Sequence, residues 1–356
     1  MIFKEVYQGK KVFLTGHTGF KGSWFIVWLK LLGAEVKGYA LPPEPEHKLY
    51  GHINGDSLCN SEYNDILNAA ALEKSVLDFQ PDFIFHFAAQ AIVRTSYSKP
   101  AETFSINAIG TAYLLDAVKK LSKPCIAILI TTDKVYHNNE WLYPYRENDR
   151  LGGYDPYSAS KACAELVIDS YRNCFFNKTS FKEHNKKIVV ARAGNVIGGG
   201  DWAQHRIIPD VISALLEKEE VKVRNPDSIR PWQHVMESLS AYLTLGKQLL
   251  KNAENCSTEY NFGPRSADCR SVKKMVEYAI ELWGEGSYNV NSGDNKLHEA
   301  GLLKLDISKA EVELGWHPHF TAKEAIAKTI NWYKKFDGKN AYQLIKDDIE
   351  SFSKIS

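Results

Sequence analysis

The chain has 356 residues, with 44 Lys and Arg against 43 Asp and Glu, so its formal net charge is +1. Hydrophobic residues make up 44%, charged residues 24% and aromatic residues 12%, which supplies a core and excludes a disordered chain. The balanced charge argues against a nucleic-acid or anionic-membrane partner, and no apolar run reaches the ~18–20 residues that cross a bilayer. Met1–Lys11 is polar and has no signal-peptide pattern, so the expected compartment is the cytoplasm. The cysteines at 59, 125, 163, 174, 256 and 269 form no C-x-x-C pair and are expected as reduced thiols. No metal site is expected, because His317-Pro318-His319 has no neighbouring carboxylate or thiolate to complete a ligand set.

Lys11–Thr15 (KVFLT) is a short apolar run that ends in glycines, and Ser23–Leu32 follows as an apolar helical stretch. Between them, Gly16-His17-Thr18-Gly19-Phe20-Lys21-Gly22 spells G-x-x-G-x-x-G. Glycines at a strand-to-helix turn let a pyrophosphate approach the free N–H groups of the helix start, so this position predicts a dinucleotide site. Glu35–Leu41 is the next strand and ends without the carboxylate that grips the adenosine ribose of NAD; Glu44 or Glu46 in the following loop would have to supply one. No arginine stands there for a 2′-phosphate, so NAD is favoured over NADP.

Asp82–Phe87 and Ile126–Thr131 are further strand candidates, and Asn107–Leu121 between them has apolar residues at helical spacing. Strand–helix alternation with continuously apolar strands predicts an α/β fold with a doubly wound parallel sheet, covered on both faces. After residue 196 the chain becomes irregular and rich in Pro, Trp and Arg, which predicts a smaller, interleaved C-terminal substrate lobe. The expected division is 1–195 for the dinucleotide domain, with returning segments at about 236–263, and 196–235 with 264–356 for the second lobe.

Tyr157 and Lys161 form Y-x-x-x-K at the start of a helical stretch, and residues four apart share a helix face. Two other such pairs, Tyr7/Lys11 and Tyr342/Lys346, lie before the sheet and near the C-terminus and are read as accidental. Tyr157 stands out because Ile126–Thr131 runs into Thr132-Asp133-Lys134, at the carboxyl end of a strand, where α/β folds bind ligands. To act as a base near neutrality a tyrosine must drop ~3 units from its ordinary pKa of ~10, worth ~4 kcal/mol. One cation ~4 Å away supplies ~4 kcal/mol at an effective dielectric of ~20.

The segments FLTGHTGFKGSW, HFAAQAIVRTSYSKP, TTDKVY, GGYDPYSASKACAEL, RAGNVIGGGDWA and IRPWQHV resemble the extended short-chain dehydrogenase/reductases that act on nucleotide sugars. The resemblance runs from Gly16 to about Trp332 and implies a Rossmann-type fold with NAD as cofactor. It places Asp65 and Ile66 at the adenine, Ala88, Ala89, Gln90 and Asn107 along the cofactor, and Lys161 on the nicotinamide ribose. Asp-Lys after the threonine is similar to the CDP-glucose 4,6-dehydratases; dTDP-glucose and GDP-mannose dehydratases have Asp-Glu or similar acids there, and 4-epimerases no ionisable pair. The resemblance thus implies CDP-glucose as substrate. Tyr157 and Thr132 would take the 4-hydroxyl proton, Asp133 would be the acid at O6 and Lys134 the base at C5. Arg230 would hold the diphosphate with Asn195 and Arg94 nearby, and Trp232 either stacks on the base or packs inside the lobe. It further implies a hydro-lyase of deoxysugar and lipopolysaccharide synthesis, acting as a homodimer or homotetramer. The alternatives are another nucleotide-sugar dehydratase, a 4-epimerase, or a non-catalytic NAD-binding scaffold.

Overall fold

The computed structural model describes residues 1–43, 48–252, 256–290 and 300–355; Glu44 and Glu46 lie outside the described residues. Seven parallel strands form the central sheet: β1 (Lys11–Thr15), β2 (Glu35–Ala40), β3 (Asn60–Tyr63), β4 (Phe83–His86), β5 (Cys125–Thr132), β6 (Lys186–Ala193) and β7 (Glu259–Phe262). Their order is β7-β6-β5-β4-β1-β2-β3. Every residue of β4 and β5 is buried, as expected of inner parallel strands that must present apolar side chains to both faces. Alternation divides them: Ile126, Ile128 and Ile130 join one core, Ala127 and Leu129 the other.

The first core is covered by α1 (Phe20–Leu31) and α6 (Val235–Asn252); the second by α2 (Ala69–Phe79), α3 (Gly110–Lys120) and α4 (Pro156–Phe175). The remaining longer helices are α5 (Ile207–Glu217), α7 (Val272–Trp283), α8 (Ala322–Lys335) and α9 (Ala341–Phe352). α1 is apolar around its whole girth because it is covered twice, by the sheet and by α9, whose Phe352 meets Trp28 edge-on with centroids 5.9 Å apart. The strand β3 and the helix before it, Lys48–His52, fill the long connection after β2. Outside the sheet, Asn195–Ile197 pairs with Trp232–His234, and Ile229–Arg230 with Arg270–Ser271. These small pairings bring Asn195 and Arg230 to the carboxyl end of the sheet.

The chain runs from β1 outward through β2 to β3 and then crosses back to β4 on the other side of β1, so the strand order reverses between β1 and β4 and opens a crevice at their carboxyl ends. Gly16 sits there at φ 71°, and a Cβ on it would lie 2.7 Å from the Ala88 amide nitrogen. A Cβ on Gly22 would lie 2.3 Å from the Gly16 carbonyl, whereas one on Gly19 meets only that oxygen at 3.5 Å. Two glycines thus serve the packing of helix on strand, and the third faces open space. His317 and His319 hold no metal cluster; among the described residues no group of His, Cys, Asp or Glu is arranged as one. His319 and Phe320 instead donate their backbone N–H groups to the buried Glu237 carboxylate at 2.7 Å each. All six cysteines are free thiols. No helix among the described residues is long and apolar enough to cross a membrane.

The glycine contacts predict unequal sensitivity. Gly22→Ala should cost about 1–3 kcal/mol or more, as overpacking against backbone does, whereas Gly19→Ala should stay within about 0.5 kcal/mol of wild type. Urea unfolding of both variants checks this, and equal losses would contradict the packing roles.

Candidate active site

The carboxyl end of β5 passes through Thr132 into a single helical turn, Asp133–Val135, so three successive polar residues leave the sheet together. Thr132 and Asp133 are buried, and Lys134 is half-buried. Thr132 Oγ1 donates to Asp133 Oδ1 at 2.9 Å and accepts from the Lys134 N–H at 3.3 Å. Asp133 Oδ2 is buried with no hydrogen-bond partner. The helix α4 starts opposite: Asp155 caps it, accepting from the Ser158 N–H at 2.9 Å and its hydroxyl at 2.6 Å, with Pro156 in the first turn. This cap sets Tyr157 in the first turn and Lys161 one turn further, both buried.

Burial pushes the Tyr157 phenol up to about 12; the Thr132 hydroxyl opposes that shift, Asp133 adds to it and the Arg206 guanidinium opposes it. Burial draws the Lys161 ammonium down to about 8, against the pull of the Glu165 carboxylate. Lys161 Nζ donates to the Ile130 carbonyl at 3.1 Å, so strand and helix are pinned at the level of the site. One turn further along α4, Glu165 accepts from Thr131 Oγ1 at 2.6 Å and from Arg192 Nε at 2.9 and 3.0 Å, and also pairs with Arg192 Nη2. Arg192 Nη1 then donates to the Tyr136 hydroxyl at 2.7 Å and the Glu147 carbonyl at 2.8 Å. The buried network ties β5, β6 and α4 to the loop behind Tyr136.

Thr132, Asp133, Lys134, Tyr136 and Tyr157 line one cavity of about 820 Å³, which also reaches Arg94, Asn195, Arg230 and Trp232; Lys161 is not among its lining residues. The structure therefore brings Thr132, Asp133, Lys134 and Tyr157 into one space with the residues expected for substrate. Its cationic lining is Lys21, Arg94, Lys134, Arg206, Arg224 and Arg230. Arg230 is buried and donates to the Ile229 carbonyl at 3.0 Å and to the Ala300 carbonyl. Trp232 is buried with its indole N–H on the Arg270 carbonyl at 2.9 Å, so packing fixes the ring at the cavity wall.

Of the residues expected at the cofactor, only Phe20 and Tyr157 line this cavity. Thr15 Oγ1 accepts from the Ala88 N–H at 3.1 Å, and the Asp65 carbonyl accepts from the Tyr39 hydroxyl at 3.1 Å. Ile66 packs where a Cβ on Gly110 would meet it at 3.0 Å. Asn107 is a brace: its Oδ1 accepts from the Gln90 N–H at 3.0 Å, and its Nδ2 donates to the Gln90 carbonyl at 3.0 Å and to Ser160 Oγ at 2.8 Å. Thr18 Oγ1 donates to the Leu41 carbonyl at 3.1 Å. The buried His17 ring lies over Gly38, where a Cβ would approach it to 2.5 Å, and stacks on Tyr63. Burial draws that imidazole down to about 4, so it is neutral.

Lys21 and Arg206 were not singled out in the sequence. Lys21 donates to the Tyr242 hydroxyl at 3.4 Å and lies over the Phe87 and Tyr242 rings. Burial, then the charges of Lys161 and Arg206, bring its ammonium down to about 7. Arg206 pairs with the buried Asp201 at 3.0 Å. Both sit beside recognised motifs, Lys21 inside the glycine turn and Arg206 just before α5, but only the folded cavity gives them a partner.

Comparison with known proteins gives the following. The family model described as GDP-mannose 4,6 dehydratase matches residues 13–329. The chain is 46% identical over 334 residues to a CDP-glucose 4,6-dehydratase of Salmonella typhimurium, across 94% of this chain and 93% of that protein. It shares its fold with the dTDP-glucose 4,6-dehydratase DesIV of Streptomyces venezuelae, solved with NAD and TYD bound: TM-score 0.77, 23% identity, 92% of this chain and 98% of that one. The NAD complex of a dTDP-glucose 4,6-dehydratase from Bacillus anthracis is also similar, with TM-score 0.75, 20% identity, and coverage of 95% and 100%.

Glu165 and Arg192 have side chains only 4% exposed. Arg192→Met would leave the Glu165 charge buried with one hydroxyl for company, so it should destabilise the fold by about 3–5 kcal/mol. Urea unfolding measures this, and a loss below about 1 kcal/mol would show that the network is dispensable.

Proposed function

The chain belongs to the GDP-mannose 4,6-dehydratase family, and on that premise we propose that it is an NAD-dependent lyase that dehydrates CDP-glucose to CDP-4-dehydro-6-deoxyglucose. The observation that carries the reading is the strand end: Thr132, Asp133 and Lys134 in succession beside Tyr157, in one cavity with Arg230. The Asp-Lys pair and the 46% identity to the Salmonella enzyme support CDP-glucose over other nucleotide sugars.

NAD fits the crevice at the start of α1, where Gly19 leaves open space before the helix N-terminus and Gly16 lets the loop pass close to Ala88. When bound, NAD+ supplies the acceptor for the C4 hydride and gives it back at C6. The chain's own groups move the protons. Tyr157, as phenolate, takes the proton from O4 as the hydride departs, and its charge is favoured by Arg206 and Thr132. The new ketone acidifies C5–H, which Lys134 takes as base while Asp133 gives a proton to the leaving hydroxyl at C6. Lys134 afterwards returns its proton to C5. Arg230, with Arg94 and Asn195, would take the diphosphate, because a guanidinium pairs phosphate oxygens bidentately.

In this reading residues 1–195 with about 236–263 hold NAD, and 196–235 with 264–356 hold the nucleotide. We also propose that the protein works as a homodimer or homotetramer, pairing across α3 and α4. There Leu166 and Phe175 are 61% and 45% exposed, apolar area that a second copy would cover. Its proposed place is the cytoplasm, where six free thiols stay reduced. Its product would feed deoxysugar and lipopolysaccharide synthesis.

The test is to incubate the protein and NAD+ with CDP-, dTDP-, GDP- and UDP-glucose separately and read the alkaline absorbance of a 4-keto sugar. Product from CDP-glucose is expected; C4 epimers without a keto product would select the epimerase alternative. Asp133→Asn should still form bound NADH from CDP-glucose but eliminate water about 10²–10⁴-fold more slowly. Wild-type dehydration by that variant would remove the acid role.

A further inference from the structure

A continuous run of buried hydrogen bonds crosses the carboxyl ends of β1 and β4, where the crevice opens, and the proposed chemistry uses none of it. Thr15 ends β1, His86 ends β4, and the two stand side by side in the sheet. Thr15 Oγ1 meets His86 Nδ1 at 2.8 Å, and His86 Nε2 meets the hydroxyl of Thr111, on α3, at 3.1 Å. Thr111 Oγ1 donates to the Asn107 carbonyl at 2.7 Å, and Thr15 Oγ1 accepts from the Ala88 N–H at 3.1 Å. Thr15, His86, Asn107 and Thr111 are each at most 3% exposed.

Counting hydrogens fixes the direction of the run. Thr111 has one hydroxyl hydrogen, spent on the Asn107 carbonyl, so toward His86 its oxygen can only accept. His86 Nε2 therefore carries a ring proton. At the other end, Thr15 has two partners, and one is the Ala88 N–H, which cannot accept. The Thr15 hydrogen must go to His86 Nδ1, which therefore carries none. Burial, and then the Lys161 charge, draw the imidazole down to about 3, in keeping with a neutral ring. Every bond points one way, from Ala88 to Asn107, and bonds in such a series polarise one another.

We propose that His86, as its Nε2–H tautomer, is a positioning residue for NAD that holds both ends of the loop 88–90. At one end it takes the Thr15 hydrogen, which leaves the Thr15 oxygen to accept from Ala88. At the other it supports Thr111 on Asn107, whose side chain accepts from the Gln90 N–H and donates to the Gln90 carbonyl, each at 3.0 Å. Ala88 also sits against the glycine turn, since a Cβ on Gly16 would lie 2.7 Å from its nitrogen. The width of the crevice at the turn thus depends on where Ala88 is held. The inference rests on the reading that places Ala88, Ala89 and Gln90 along the cofactor.

Solid-state NMR of the protein carrying 15N-labelled histidine reads the tautomer, and loss of signals in His86→Gln identifies the ring. A neutral ring protonated at Nε2 is expected; protonation at Nδ1, or at both nitrogens, would overturn the assignment. Calorimetric titration with NAD+ then gives its Kd. Thr111→Val keeps the shape but removes the hydroxyl, and should raise the Kd about tenfold, the scale of one buried hydrogen bond. Thr15→Val cuts the run at its other end and should weaken NAD+ by a similar factor. Thr111→Ser restores the hydroxyl and should stay within about threefold of wild type. Urea unfolding shows which variants are folded. A folded valine variant with wild-type affinity, or Thr111→Ser weakened as much as Thr111→Val, would reduce the run to a brace for folding. A wild-type protein that binds no NAD+ would overturn the placement of the cofactor itself, a result distinct from these.

Discussion

A carboxylate buried among apolar side chains keeps its charge only if hydrogen bonds and an opposite charge surround it. Glu165 meets that requirement with Thr131 on β5 and Arg192 on β6, and the rest of the site hangs from this junction. Thr131 immediately precedes the Thr132-Asp133-Lys134 turn, and Glu165 lies one helical turn beyond Lys161 and two beyond Tyr157. Strand end and helix start are therefore held in register by an interaction that touches no reacting atom. Arg192 extends the same tie to Tyr136 and Glu147, behind the cavity wall. Each polar group in this tie has at least one hydrogen-bond partner.

Charge inside the cavity follows from the ligand it must hold. Six cationic side chains line it; burial, then the charges of Lys161 and Arg206, bring Lys21 down to about 7. A diphosphate bound as proposed would relieve that repulsion, which would couple substrate binding to the charge state of the lining groups. Arg206, fixed on Asp201, joins the two halves of this field, since it acts on both Lys21 and Tyr157. The general principle is electrostatic preorganisation: fixed charges placed where negative charge will develop cost no rearrangement at the moment of reaction.

Much of this was legible in the sequence. The apolar KVFLT run, the spaced glycines and the following apolar stretch give β1, the turn and α1, because each signal is local. Tyr157 and Lys161 were legible from helical spacing, and Asp155 with Pro156 supplies the helix start. The strand β3 was not: Asn-Ser-Glu-Tyr is short and polar, as an edge strand can be, and has no apolar period. Asn107 was expected along the cofactor, but its amide is spent on Gln90 and Ser160, which no spacing reveals. Lys21 looks like a solvated charge in a loop until Tyr242, more than two hundred residues away, covers it. Arg206 acquires its role from Asp201 and the cavity, and Glu165 from Arg192, contacts that only the folded chain creates.

The central claim is that one cavity oxidises C4, removes water across C5 and C6, and returns the same hydride to C6. The most direct measurement is the fate of a label: CDP-glucose carrying deuterium at C4, converted by the protein with unlabelled NAD+ and analysed by mass spectrometry and NMR. The account predicts a 4-keto-6-deoxy product with deuterium at C6, transferred within each molecule even when unlabelled substrate is mixed in. Deuterium that stays at C4, or that is lost to solvent or spread between molecules, would contradict it.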